Sequence, residues 1–251
     1  MLGGIGNALM LALYRGRGHT TDMKERLRYQ QFTRQREQGR LALALVGMSN
    51  VGKSLWAGRL AESGFSVYGC DDEIEQQLAP ELLNHGYMGG LAEVARWMGQ
   101  PYAPQFAANQ QRYLQLEAKA LQDALTRHQE ALQDNTVIDT TGSVVHLSPA
   151  LLEALRQHTT IIHLAANPDM QQEMYRQYLA RPKPVVWGDI YQPLDGELPE
   201  AALRRLYPTL LAHRAQQYNR IAHATITRDQ LLGLASAEDF LDTVQHNLAV
   251  L

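Results

Sequence analysis

Eight consecutive residues, Gly47-Met48-Ser49-Asn50-Val51-Gly52-Lys53-Ser54, restrict what this chain can fold into more than anything else in it. They read G-x-x-x-x-G-K-[ST], a pattern that works where a buried strand leads into it and a helix leads out. Both flanks are present. Leu41-Ala42-Leu43-Ala44-Leu45-Val46 is a continuous apolar run, too short for a stable helix and suited to a strand covered on both faces. An amphipathic stretch from Leu55 to Ser63 follows. The two glycines let the backbone curl so that successive N–H groups point at one centre, and a helix starting at Lys53 aims its positive end there. Such a cradle binds nucleotide phosphates, with Lys53 bridging the terminal ones and the Ser54 hydroxyl placed for Mg²⁺. Gly47, Ser49, Asn50, Val51, Gly52, Lys53, Ser54 and Leu55 are therefore the expected nucleotide contacts.

The rest of the chain continues the alternation. Phe65–Tyr68, Thr136–Ile138, Thr160–Leu164 and Ala224–Thr227 read as further strands. Helices are expected from Asp71, over about Ala103–His128, over Pro149–Gln157, from Pro168 to about Leu179, over Glu200–Ala222 and at the C-terminal end. Strands separated by helices make βαβ units, so the expected fold is a three-layer α/β/α sandwich on a parallel sheet of about five strands. Residues 41–251 form the expected domain, with acceptor-side helices over about 71–128 and a Pro- and Gly-punctuated lid over about 176–197.

Residues 1–40 read as an extension. Its second half, rich in Arg, Gln, Lys and Glu, suggests an exposed or peripherally docked helix ended by Gly39. Residues 1–22 read as an over-long start or a disordered end, with translation beginning at Met23. The apolar run Leu2–Tyr14 lacks the basic flank and cleavage site of a signal peptide, and is too short and interrupted to span a membrane. A formal net charge of -3 supplies no basic field for nucleic acid. The single cysteine, Cys70, allows no internal disulfide, which suits a reducing compartment such as the cytoplasm.

Read onward from the cradle, the chain resembles the shikimate kinase family over most of residues 41–228. The family's acidic segment after its second strand falls on Gly69-Cys70-Asp71-Asp72, followed by Ile74-Glu75; its F-R-x-x-E motif on Tyr113-Leu114-Gln115-Leu116-Glu117; its glycine triplet on Thr141-Gly142-Ser143. Arg181-Pro182 matches the lid motif, and Arg214 with Tyr218 matches a late R-x-x-x-Y. The departures fall on the acceptor side: Gly69 replaces a metal-supporting acid, Leu114 an arginine, and Thr141 and Ser143 two glycines.

The resemblance implies a small-molecule kinase that moves the γ-phosphoryl group of MgATP to a hydroxylated metabolite, with no nucleic-acid or membrane partner. It puts Asp71, Glu117, Gly142 and Arg214 around the acceptor. An acid at a helix start also serves as a cap, but Asp71 has the spacing to orient and deprotonate the attacking hydroxyl. Asp139 closes the apolar strand Val137-Ile138; such an acid can cap the next turn or, as expected here, hold the Mg²⁺ shell beside Ser54. Arg181, seconded by Arg176 and Lys183, is the expected lid cation over the phosphates. Glu117, alone on an apolar helix face, invites an ion pair with an arginine. The rival readings are a kinase for an acceptor other than shikimate and a non-catalytic ATP-binding regulatory module.

Overall fold

The structure, a computed structural model, describes residues 26–130, 134–180 and 183–249. The expectations for residues 1–22 and for Arg181 lie outside them. Five strands, β1 (Ala42–Val46), β2 (Ser66–Gly69), β3 (Thr136–Asp139), β4 (Thr160–Leu164) and β5 (Ala224–Ile226), form one sheet in the order β2-β3-β1-β4-β5. Every pairing is parallel. β1 is central and buried at every residue, which is why its sequence has no polar alternation. Its register sets Leu45 beside Asp139 on one side and Ile162 on the other.

Helices cover both faces. On one, α2 (Lys53–Glu62) packs against α10 (Ala237–Ala249), with Trp56 stacked on Phe240 at 4.8 Å between ring centroids and the Arg59 guanidinium over the Trp56 ring. The helical residues 26–37 (α1) dock behind α10. Phe32 is fully buried, and Arg36 reaches Glu238, Asp242 and Gln245. This is the peripheral docking that the polar composition of the segment suggested.

The second group comprises α3 (Cys70–Asn84), α4 (Leu91–Met98), α5 (Phe106–Glu130), α6 (Pro149–His158), α7 (Pro168–Ala180) and α8 (Pro199–Ile221). The short α9 (Arg228–Leu232) starts with a Thr227–Gln230 capping box. Ser148 and Pro149 start α6 by the usual chemistry, the Ser148 hydroxyl accepting from the Leu151 N–H.

α3 runs on through Pro80 to Asn84 with Leu78 and Leu82 on its buried face. Two features differ from expectation. α4 has no counterpart among the expected helices; Gly90 and Gly99, at φ 104° and 77°, isolate it as a short element. α5 begins at Phe106, since Pro101 and Pro104 keep the preceding residues in turns. No helix among the described residues is long and apolar enough to cross a membrane.

Candidate nucleotide and acceptor site

The cradle is built by close approach. Gly47 follows β1 with φ 146°, and a Cβ there would lie 2.6 Å from the Leu164 carbonyl oxygen on β4, so only glycine fits. Gly52 precedes α2 at φ 104° without a side-chain cap, which leaves the first N–H groups of the helix facing the loop. Asn50 takes the left-handed conformation at φ 65°, which asparagine tolerates. Lys53 is buried, and its ammonium donates to the carbonyls of Gly47 (3.1 Å) and Met48 (3.0 Å). Burial lowers its pKa, and the carboxylates of Asp139 and Asp71 oppose that shift.

Asp139 closes β3 directly opposite Gly69 at the end of β2. Its Oδ1 is buried and has no hydrogen-bond partner among the described residues. Burial raises its pKa, opposed by the Ser54 hydroxyl and the Lys53 charge. An unpartnered carboxylate oxygen beside a hydroxyl at the mouth of a phosphate cradle fits a hard divalent cation that takes its remaining ligands from phosphate and water. Position 69 carries no acid, and a Cβ there would lie 2.9 Å from Asp72 Oδ2, so the Asp72 carboxylate fills the neighbouring space.

A cavity of about 450 Å³ opens beyond the loop, with Asp71, Tyr113, Gly142, Ser143, Lys183 and Arg214 among its walls. Asp71 borders the cavity and is exposed to it. Loss of hydration against the surrounding protein raises its pKa against the pull of Lys53, and the Tyr113 hydroxyl lies 3.4 Å from Oδ1. Arg214, which alone would read as a surface charge, is buried. Its Nη2 donates to the Val186 carbonyl at 2.6 Å, while its Nε has no partner among the described residues. Gly142 lies between the two halves of the site: a Cβ there would be 3.4 Å from the Ser49 N and 3.8 Å from Arg214 Nη1. Its carbonyl accepts from Tyr218, one turn beyond Arg214 on α8.

Glu117 departs from expectation. In place of an arginine it meets two hydroxyls, Thr141 Oγ1 and Ser143 Oγ, both of which donate to it. The residues that replace the family's glycines thus supply its partners. Burial raises the Glu117 pKa to about 7 although both hydroxyls oppose the shift. Leu114 packs against the core, so no cation takes the place of the family arginine from that position.

Residues 176–180 and 183–197, within the segment expected to be a lid, are more ordered than their composition suggests. Residues 176–180 are still helical, and Arg176 pairs with Glu173 on its own helix at 3.3 Å. Trp187 is fully buried against Tyr178, Tyr191 and Tyr207, and its backbone N–H donates to Gln110 Oε1 at 2.6 Å. Lys183 donates to Asn50 Oδ1 at 2.6 Å and Ser49 Oγ at 3.3 Å, and Asn50 Nδ2 donates to Gln177 Oε1 at 2.8 Å. Gln110 and Gln177 went unnoticed in the sequence because nothing in their local pattern marks them, and Tyr113 was placed only as the first position of the Tyr113–Glu117 motif, without a role in the site. Leu55 points outward and is 58% exposed. Cys70 is buried, which pushes its thiol pKa up and leaves it a packing residue.

A family model described as shikimate kinase matches residues 92–245, more than half of the chain. That stretch carries Glu117, Asp139, Gly142 and Arg214 and begins after the phosphate loop. Among solved structures, shikimate kinase from Acinetobacter baumannii in complex with shikimate aligns with a TM-score of 0.50 at 20% identity, over 82% of this chain and 92% of that one. Shikimate kinase from Bacteroides thetaiotaomicron aligns with a TM-score of 0.47 at 18% identity, over 82% and 97%. The likeness to the first is one of fold. No curated protein matches.

Proposed function

The chain belongs to the shikimate kinase family of P-loop small-molecule kinases, and from that premise we propose that it transfers the γ-phosphoryl group of MgATP to a hydroxyl of a small metabolite. One observation carries the reading: Asp71 and Arg214, from separate helices, line the cavity beside the phosphate loop, and with Asp139 on β3 they lie close enough for their charges to act on the Lys53 ammonium.

The roles follow from placement. Loop N–H groups and Lys53 hold the β- and γ-phosphates. Ser54 and Asp139 would hold magnesium, which when bound neutralises charge on those phosphates. The acceptor hydroxyl lies against Asp71, whose raised pKa suits a group that must receive a proton. The acceptor oxygen forms a bond to the γ-phosphorus as the bond to the β,γ-bridging oxygen breaks. ADP departs with that electron pair, and the hydroxyl proton passes to Asp71. Arg214, buried and with an unpartnered Nε, binds an anionic group on the acceptor. Most of the rate enhancement comes from positioning and charge neutralisation.

Shikimate is the first acceptor to test. Leu114 favours a second reading, a different hydroxylated acceptor, because its side chain offers no charge where a carboxylate would need one. An ATP-consumption assay with and without shikimate, then with other hydroxylated metabolites, tests both, with Lys53→Ala as control. Shikimate-dependent turnover that disappears in the control supports the first reading, and turnover with another metabolite alone supports the second. ATP binding without turnover on any acceptor would sink both in favour of a regulatory module.

A further inference from the structure

We propose that Lys183 is a phosphate-following cation: it rests on the side chains of the phosphate loop while the cradle is empty and transfers to the γ-phosphate when ATP arrives. The proposal rests on the kinase reading above. Lys183 comes just after α7 and lines the same cavity as Asp71 and Arg214. Its ammonium donates to Asn50 Oδ1 at 2.6 Å and Ser49 Oγ at 3.3 Å. Both acceptors are neutral, and both belong to the loop that would surround the phosphates.

The surrounding charges make this resting place a temporary one. Lys53 is held on the inner side of the loop by the carbonyls of Gly47 and Met48. Lys183 and Arg214 both add to the effect of burial in disfavouring the Lys53 charge. Asp139 and Asp71 offset part of that crowding at Lys53, and a polyanion entering beside the loop attracts all three cations. A charged phosphate oxygen is a stronger acceptor for an ammonium than an amide oxygen or a hydroxyl. The ammonium therefore exchanges its neutral partners for the phosphate.

Asn50 is suited to hold the waiting cation. Its left-handed backbone is one that few other residues adopt, and Gln177 on α7 accepts from its Nδ2. That contact fixes the amide so that Oδ1 faces Lys183. An acid at position 50 would bind the lysine too firmly to release it. Lysine, a compact charge with three rotatable donors on a flexible stem, can move with the phosphoryl group as it transfers.

Calorimetric titration of the full chain with ADP and with the non-hydrolysable β,γ-imido analogue of ATP tests the assignment. Lys183→Met should weaken the imido analogue about tenfold or more and ADP by less than about threefold, because only the former carries the γ-phosphate. Lys183→Arg should restore most of the difference. Equal weakening of both nucleotides in Lys183→Met would show that the contact only braces the loop and would overturn the proposal. Unchanged binding in Lys183→Met would also overturn it. A parent protein that binds neither nucleotide would bring down the kinase reading and this proposal together, whereas failure confined to the variant strikes the proposal alone.

Discussion

The two walls of the cavity are made in different ways. The nucleotide wall is eight consecutive residues whose shape depends on backbone conformation: Gly47 against Leu164, Gly52 at the start of α2, Asn50 in the left-handed region. The wall proposed for the acceptor gathers Asp71 from α3, Tyr113 from α5, Gly142 and Ser143 from the loop after β3, and Arg214 from α8, with Glu117 buried behind Ser143. One wall uses main-chain groups that every sequence has, and the other uses side chains that only correct packing brings together. A backbone-built wall should tolerate side-chain exchange except where glycine is required. A side-chain-built wall should be sensitive at each member and easy to retune for a new ligand.

Four substitutions test that contrast. Gly47→Ala should have the largest effect. Its Cβ would collide with the Leu164 carbonyl, so nucleotide binding should be lost altogether, which titration with ADP measures. Binding within threefold of the parent would mean that the loop can relax and is not defined by its backbone. Asp71→Asn should reduce kcat by roughly 10²–10⁴ while leaving ATP affinity nearly unchanged. A parallel loss of ATP affinity would blur the division between the walls.

Arg214→Leu should raise the acceptor KM by roughly tenfold to a hundredfold, with the KM for ATP unchanged. Steady-state kinetics at varied acceptor would expose the opposite pattern. Glu117→Gln should act on stability. The folded pKa of about 7 lies above the ordinary 4.5, so the folded chain holds this proton more tightly than the unfolded chain does. The stability this confers is complete below the unfolded value and is lost as pH rises through 7. Glu117→Gln has no such proton to lose. Its melting temperature should exceed that of the parent by several degrees at pH 8, an effect on the order of 2–3 kcal/mol, with little difference near pH 4. A difference independent of pH would mean that the carboxyl is ionised throughout.

The same contrast accounts for what could be read in advance. β1, the loop and α2 form one continuous signal, with an apolar run, fixed glycines and an amphipathic helix each constraining the next. β3 and β4 were legible as short, largely apolar runs buried on both faces, whereas β2, exposed or half-buried at every residue, was legible from its place between two helical stretches. α4 was not legible: eight residues between two glycines are too short to establish a period. The hydroxyl partners of Glu117 were hidden for a different reason. Thr141 and Ser143 are separated from it in sequence by a helix end and a strand, and only the tertiary fold brings them into contact. The order of the lid region depends likewise on Trp187 meeting tyrosines from α7 and α8, which composition rich in proline and glycine conceals.

The stacking of Trp56 on Phe240 bears on how the protein is made. The helix that carries the phosphate loop is backed by the last helix of the fold, and α1 is fastened to that same helix through Arg36. A ribosome releases the loop and α2 well before α10, which supplies their support. Until α10 arrives, the Trp56 face of α2 is an uncovered apolar surface on an emerging chain. Affinity for nucleotide should therefore be acquired only once α10 has emerged, although the residues that confer it are translated well before that helix.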